Sequence, residues 1–247
     1  MSSSIGREFY EKTKPQYAEP SQQTQGLPQP PLESDYPPAS GLIALSEADR
    51  VQIPAMDLRT AIEERITVRH YSDEPISLEE LSYLLWVTQG VRQVTARPVT
   101  LRNVPSAGAR HAFETYLLVN RVSRLETGLY RYVAGEHALL LADSSADVNA
   151  RVTRACFEQK QVASSAVTFF WAAVLERMYW RYSERGYRYL FLDAGHVCQN
   201  LYLAATSVGS GACAIGHYDD DLLNAALGLD GEKMFTVYGA SLGKRTN

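Results

Sequence analysis

The sequence predicts a single soluble domain that mixes α-helices with β-strands and carries a polar N-terminal arm. Three observations predict it. A chain of 247 residues with 45% hydrophobic and 21% charged residues can bury one substantial core. Apolar residues recur at helical spacing in some stretches, above all Leu190 to Val208, and cluster in strand-length runs such as Ala166 to Leu175 elsewhere. Residues 1–40 instead hold Pro15, Pro20, Pro28, Pro30, Pro31, Pro37 and Pro38 among glutamines, a composition that cannot fold alone. The expected division is therefore an arm, 1–40, and a domain, 41–247.

Charge and cysteine usage narrow the function classes. A net charge of −4 and a pI near 5.8 argue against nucleic-acid or membrane-surface binding, so any anionic ligand must be held by a few local cations. Cys156, Cys198 and Cys213 form neither a CxxC pair nor an even set, which supports no disulfide framework and no metal knuckle. The N-terminus lacks an apolar signal segment, and Ala166 to Leu175 is about half a membrane span. The expected location is cytoplasmic.

Taken in order, the arm has two open readings: Tyr10, Tyr17 and Tyr36 lay it across the body or a partner, or it is disordered. Asp57 N-caps a helix with Leu58, Ala61 and Ile62 on one face, ending near Arg65. In Arg65-Ile66-Thr67-Val68-Arg69-His70-Tyr71, extended alternation puts Arg65, Thr67 and Arg69 on one side. That side is either an anion site or an exposed charged edge. Ser77-Leu78-Glu79-Glu80 is a capping box opening a helix with Leu78, Leu81, Leu84 and Leu85 inside, closed by Gly90.

Pro105-Ser106-Ala107-Gly108-Ala109 is a turn or a place where a flat ligand meets the main chain. Strands are expected at Glu114 to Val122, Gly128 to Tyr132 and His137 to Ala142, a helix over 147–158, and a central strand over Ala166 to Leu175. The Tyr/Arg-rich stretch Met178 to Tyr189 suits a binding surface and leads into the long helix. That helix buries Leu192, Val197, Leu201, Ala204 and Val208 and ends at Gly209. A small-residue loop, Ser210 to Gly216, follows. Asp219 caps a helix with Leu222, Leu223 and Leu227 inward, and Met234 to Ala240 is the last strand, before Lys244 and Arg245.

Two motifs are excluded. Gly209-Ser210-Gly211-Ala212-Cys213-Ala214 matches G-x-G-x-x-G/A, but that fingerprint needs a strand before it and a helix after it, and here a helix precedes. The five histidines have no metal-ligand spacing, and Gly-x-Ser-x-Gly is absent. His196 reads as an interior histidine; Asp193 either orients it or caps the helix.

Together these stretches resemble the nitroreductase-like flavoprotein superfamily, and more narrowly its SagB-type dehydrogenase branch, known from azoline oxidation in modified-peptide pathways. The marks are Phe9-Tyr10-Glu11-Lys12-Thr13-Lys14, Arg65-x-Thr67-x-Arg69-x-Tyr71, Pro105-Ser106-Ala107-Gly108-Ala109, Gly128-Leu129-Tyr130-x-Tyr132, and Tyr187-Arg188-Tyr189 running into Asp193-Ala194-Gly195-His196 and Gly209-x-Gly211. The resemblance implies an α+β three-layer α/β/α sandwich, with a mixed, mainly antiparallel sheet and helices on both faces. It also implies an intertwined homodimer with FMN at the interface.

By that resemblance Arg65 sits near N1/O2 of the isoalloxazine, and Thr67 and Arg69 hold the ribityl and phosphate. Lys244 and Arg245 complete the phosphate clamp. Pro105, Ser106, Ala107 and Gly108 come from the other subunit, and the Ala214-Ile215-Gly216 backbone meets the ring near N5. No metal is implied. The chain departs from the family at Ile66, where many members carry a second Arg or a His. It departs again at Arg181-Tyr182, aligned with the Lys-Tyr pair of azoline dehydrogenases, because a guanidinium does not act as a base. Tyr182 is then the candidate for moving the substrate proton, with Arg181 beside it. The expected activity is oxidation of a substrate carbon, a peptide thiazoline or oxazoline in the azoline version, by hydride transfer to N5. The alternatives are an NAD(P)H-dependent nitro or quinone reductase and a non-catalytic scaffold subunit for peptide-modifying partner proteins.

Overall fold

The computed structural model describes residues 4–37, 41–47 and 50–246. An N-terminal helix α1 (Ile5–Lys12) and a short two-residue strand β1 (Ile43–Ala44) precede α2 (Leu58–Glu64) and α3 (Leu78–Gln89). A hairpin of β2 (Val91–Val94) and β3 (Thr100–Arg102) follows, then β4 (Phe113–Val119), β5 (Gly128–Val133) and β6 (Ala138–Asp143). Next come α4 (Val148–Ala155), α5 (Lys160–Ala163), β7 (Val167–Val174), α6 (Leu175–Tyr182) and α7 (Gly186–Ser207). The chain ends with β8 (Ser210–Ile215), α8 (Asp220–Leu227) and β9 (Met234–Lys244).

Seven strands form one sheet in the order β1-β6-β5-β4-β7-β9-β8, with every pairing antiparallel. A parallel bridge between Thr67 and Ala212 at the β8 edge makes it mixed. Alternation along each strand feeds two cores. Leu117, Phe169, Trp171 and Leu242 face one, with residues of α3 and α7. Leu118, Phe170, Ala172 and Ile215 face the other, under α4 and α8. Because both faces are covered, β7 is buried along its whole length, and its continuous apolar run is the consequence. The fold is thus an α+β three-layer sandwich, with α7 the longest helix on one face. No helix among the described residues is long and apolar enough to cross a membrane.

The local capping signals act as expected. Asp57 and Asp219 accept from the backbone N–H groups of Thr60 and Leu222, and Ser77 with Glu80 forms the reciprocal capping box. Several expectations are corrected. The small-residue stretch after Gly209 is a strand, since Ala212 and Ala214 pair with Leu242 and Ala240 of β9. Strand β9 runs on to Lys244, so that lysine belongs to the sheet rather than to a tail. The Tyr/Arg-rich stretch, for which no secondary structure is expected from the sequence, forms α6 and the start of α7. The helix expected over 147–158 ends at Ala155, as α4, and Phe157 and Glu158 at positive φ turn the chain before the separate helix α5. Two leucines expected inside point out, Leu192 at 60% exposed and Leu222 at 46%, and the shared α2 face is open at Leu58 (66%) and Ile62 (53%). The β2–β3 hairpin has no counterpart among the expected elements.

The arm lies along α6 and the start of α7. Trp180 donates its ring N–H to the Leu27 carbonyl (2.9 Å), and Arg188 donates to Thr13 and to the Tyr10 carbonyl. Arg177, paired with Glu114 at 2.7 Å with both side chains buried, also donates to the Pro31 carbonyl (2.8 Å). Glu33 accepts from the N–H groups of Ala134 and Gly135.

Candidate functional site

The predicted site residues gather into two clusters at opposite ends of α7. At its C-terminal half, the segment after α2 runs extended beside the free edge of β8. Val68 donates its N–H to the Ala212 carbonyl at 2.9 Å. The approach is close because residue 211 is glycine: a Cβ there would overlap the Val68 side chain. Tyr202 of α7 ties this cluster together. Its hydroxyl accepts the Ala214 N–H (2.8 Å) and lies 3.3 Å from the Thr67 hydroxyl, and the Arg65 guanidinium sits over its ring at 5.4 Å.

The cations here divide into two kinds. Lys244 is held by Glu80 (2.5 Å) and donates to the Val208 carbonyl (2.9 Å). Its charge is therefore already matched. Arg245 donates to the Ser210 carbonyl at 3.1 Å. Among the described residues, Arg65, Arg69 and Arg245 have no carboxylate within salt-bridge distance. Three unmatched guanidiniums beside a strand edge suit an anionic ligand. Ile215 sends its side chain into the opposite core, so it can meet a ligand on the α7 side only through its backbone. Ile66 is exposed.

The second cluster lies at the N-terminal half of α7. Pro105 leads into a short 3₁₀ turn, Ala107–Ala109, in which Gly108 has φ 57°. A Cβ on Gly108 would stand 2.5 Å from the Tyr182 hydroxyl and 2.8 Å from Arg181 Nε, so only glycine lets the loop approach that pair. The Arg181 guanidinium lies 5.7 Å from the Tyr182 ring centroid, and Tyr189 packs edge-on against Tyr182 at 4.7 Å. Ser183, directly after Tyr182, is held at φ 46° and ψ −140°, a backbone conformation that surrounding structure must enforce.

Asp193 anchors this loop. Only 4% exposed, its carboxylate accepts the Ala107 N–H at 3.2 and 3.3 Å, and burial raises its pKa above the ordinary carboxylate value. The two open sequence readings, orienting His196 or capping the helix, give way to this one. Sequence reasoning also missed Tyr202 and Arg110. Asp193 and Ala107 are 86 positions apart, a separation that no local motif reports. His196 is exposed. Burial pushes the thiols of Cys156 and Cys198 up to about 12, which removes them as nucleophiles.

The clusters do not meet within one chain. Asp193 and Tyr202 are nine helical residues apart, about 13 Å along the axis and half a turn around it. On its outer side α7 exposes Phe191 and Leu192 just before Asp193, and Gly195, His196 and Gln199 between the two anchors.

The nitroreductase family model matches residues 62–244, a span that takes in every predicted site residue except Arg245. MJ1384 of Methanocaldococcus jannaschii, a protein named as a nitroreductase, is 32% identical over 187 residues, covering 74% of this chain and 91% of its own. The trifolitoxin-processing protein TfxB of Rhizobium leguminosarum bv. trifolii is 28% identical over 158 residues, 61% of this chain and 41% of its own length. A chain of the E. coli microcin synthetase McbBCD complex, solved with truncated pro-MccB17, shares the fold. It does so at 17% identity with a TM-score of 0.64, covering 98% of this chain and 92% of that one. With the family model spanning most of the sequence, this chain belongs to the nitroreductase family, whose members generally bind flavin, and is an oxidoreductase.

Proposed function

We propose that this protein is an FMN-dependent dehydrogenase of the SagB type, working as a homodimer that oxidises a carbon of a modified-peptide or small-molecule substrate. The observation that carries the reading is the division of the site into two clusters on opposite faces of α7. Neither surrounds a ring alone, and a second copy would bring Pro105 to Gly108 of one subunit over Arg65 and Ala214 of the other. The exposed apolar stripe of α7, with Leu58 and Ile62 of α2, is the surface on which such copies would meet.

The residues present fit FMN. Arg69 and Arg245 are cations without acidic partners among the described residues, suited to its phosphate, and Thr67 adds a hydroxyl. Lys244, matched by Glu80, supports Arg245 through the sheet instead. Arg65 places a fixed positive charge where the ring becomes electron-rich on reduction. The Ala214 to Gly216 edge offers backbone with no side chain larger than methyl toward α7. When bound, FMN supplies the two-electron acceptor, taking hydride at N5. The protein supplies the rest. Tyr182 stands against the Gly108 loop as the group that takes the substrate proton, Arg181 lies beside it, and the Asp193-anchored loop fixes both.

Kinship with a trifolitoxin-processing protein supports a peptide substrate, and a peptide azoline is the specific version proposed. Arg181 in the place of a lysine favours the second reading, a nitro or quinone reductase driven by NAD(P)H. Anaerobic mixing of the purified protein with an azoline peptide decides between them. Bleaching of the flavin absorbance by the peptide is expected; bleaching by NADPH alone selects the reductase. A colourless protein that takes up no FMN leaves the scaffold role. Free buried thiols fit a cytoplasmic location.

A further inference from the structure

Beside Tyr182 stand charges that the proposed redox step does not use. Arg110 follows the 3₁₀ turn, is 6% exposed, and donates Nε to the Gly108 carbonyl at 3.1 Å. Its guanidinium carbon lies over the Trp180 ring, 5.2 Å from the centroid, and that ring is itself fixed by its hydrogen bond to the Leu27 carbonyl. Arg181 Nε would lie 2.8 Å from a Cβ on the same glycine. Arg97, in the β2–β3 turn, and Arg181 both repel the Arg110 charge, and burial works in the same direction. Among the described residues no carboxylate lies within salt-bridge distance of any of the three. Concentrating like charge around a nearly buried guanidinium is unfavourable without a counter-ion.

We propose that Arg110 and Arg181, supported by Arg97, form an oxyanion subsite that receives a carboxylate or phosphate group of the substrate next to Tyr182. The inference rests on the reading of Tyr182 as the proton-handling residue and names the substrate class for it: an anionic molecule, or a peptide with an acidic group near its reacting ring. A guanidinium held over Trp180 and by the Gly108 carbonyl is preorganised for contact with an oxyanion. A side chain at Gly108 would collide with Arg181 and the Tyr182 hydroxyl, so glycine there lets Arg181 and Tyr182 stay close to the loop that Arg110 grips.

The test is calorimetric titration of the flavin-loaded protein at constant ionic strength with succinate, inorganic phosphate and the neutral control succinamide. FMN then fills the Arg69 and Arg245 end, so the titration reads the Arg110 end. Saturable binding of one anion per chain is expected, weakened about 10- to 100-fold in Arg110→Gln, as for loss of a charge-assisted bond. The exposed Arg97→Gln should weaken it a few-fold, and it keeps the test valid if Arg110→Gln fails to fold. Tighter succinate points to a carboxylate substrate, tighter phosphate to a phosphorylated one. Succinamide binding equally well, or both variants binding as the wild type does, overturns the subsite. If no anion binds while an azoline peptide still bleaches the flavin, the subsite fails and the redox reading stands. If anions bind to a protein that takes up no FMN, the reverse holds.

Discussion

The two ends of α7 solve opposite problems. At the N-terminal end the site is made of side chains held by an over-determined frame. A buried carboxylate grips one loop, glycine fits between Arg181 and Tyr182, and Gly108, Ala109, His111 and Ser183 all sit at positive φ. At the C-terminal end the site is a strand edge with small residues, flanked by guanidiniums that have no acidic partners among the described residues and closed by one tyrosine hydroxyl. On the proposed reading the first points a reactive group and the second is covered by a ligand. One chain holds both, yet on faces of the helix that turn away from each other.

The sharpest way to break that comparison is to damage each end separately. Arg65→Ala and Tyr182→Phe should each lower substrate oxidation by about 10²- to 10³-fold, the scale for losing one preorganised electrostatic or proton-transfer group. If the two clusters serve one flavin from opposite subunits, co-expressing the two variants restores about a quarter of the wild-type rate. Half of the dimers are then mixed, and each mixed dimer holds one intact site of two. No restoration would place both clusters in a single-chain site.

Next in size is the anchor of the first end. Asp193→Ala removes the acceptor of the Ala107 N–H from a buried position, and a loss of about 1–3 kcal/mol in unfolding free energy is expected. Asp193→Asn retains an acceptor and should keep most of it. The pH dependence has a definite sign. Burial raises the folded pKa of Asp193 above its ordinary value near 3.8, so its ionisation is disfavoured by folding. The wild type should therefore lose stability relative to Asp193→Asn as the pH rises from 3.8 through the raised value. Denaturant melts of both proteins across that acid range check it; parallel curves would remove the buried carboxylate from the account.

What was legible in the sequence follows the same division between local and distant causes. Ser77 with Glu80, Asp57 and Asp219 announce their helices within four residues, because capping is a local hydrogen bond. The apolar run of β7 is read correctly because burial on both faces leaves no polar positions. Strand β8 escapes, since Ser, Gly, Ala and Cys carry little β preference; it is a strand because β9 and Thr67 pair with it. Leu58, Ile62 and Leu192 have helical spacing that looks like core, and periodicity cannot distinguish a face buried in the chain from one left for another molecule. Asp193 and Tyr202 stand on a helix whose period was plain, but their partners lie on other elements.

Tyr202 gives the smallest and most discriminating effect. Its hydroxyl accepts the Ala214 N–H and meets Thr67 (2.8 and 3.3 Å), yet it joins groups at an open strand edge that water can reach. Tyr202→Phe keeps the ring beneath Arg65 and should cost only about 0.5–1.5 kcal/mol of stability, less than Asp193→Ala. Its effect on flavin should be clearer than its effect on folding, because the Ala214 N–H is freed at the edge assigned to the ring. The reduction potential of the bound flavin, measured by equilibration with a reference dye, should shift while thermal stability hardly changes. A large stability loss with an unmoved potential would make the C-terminal end a packing contact rather than the flavin edge.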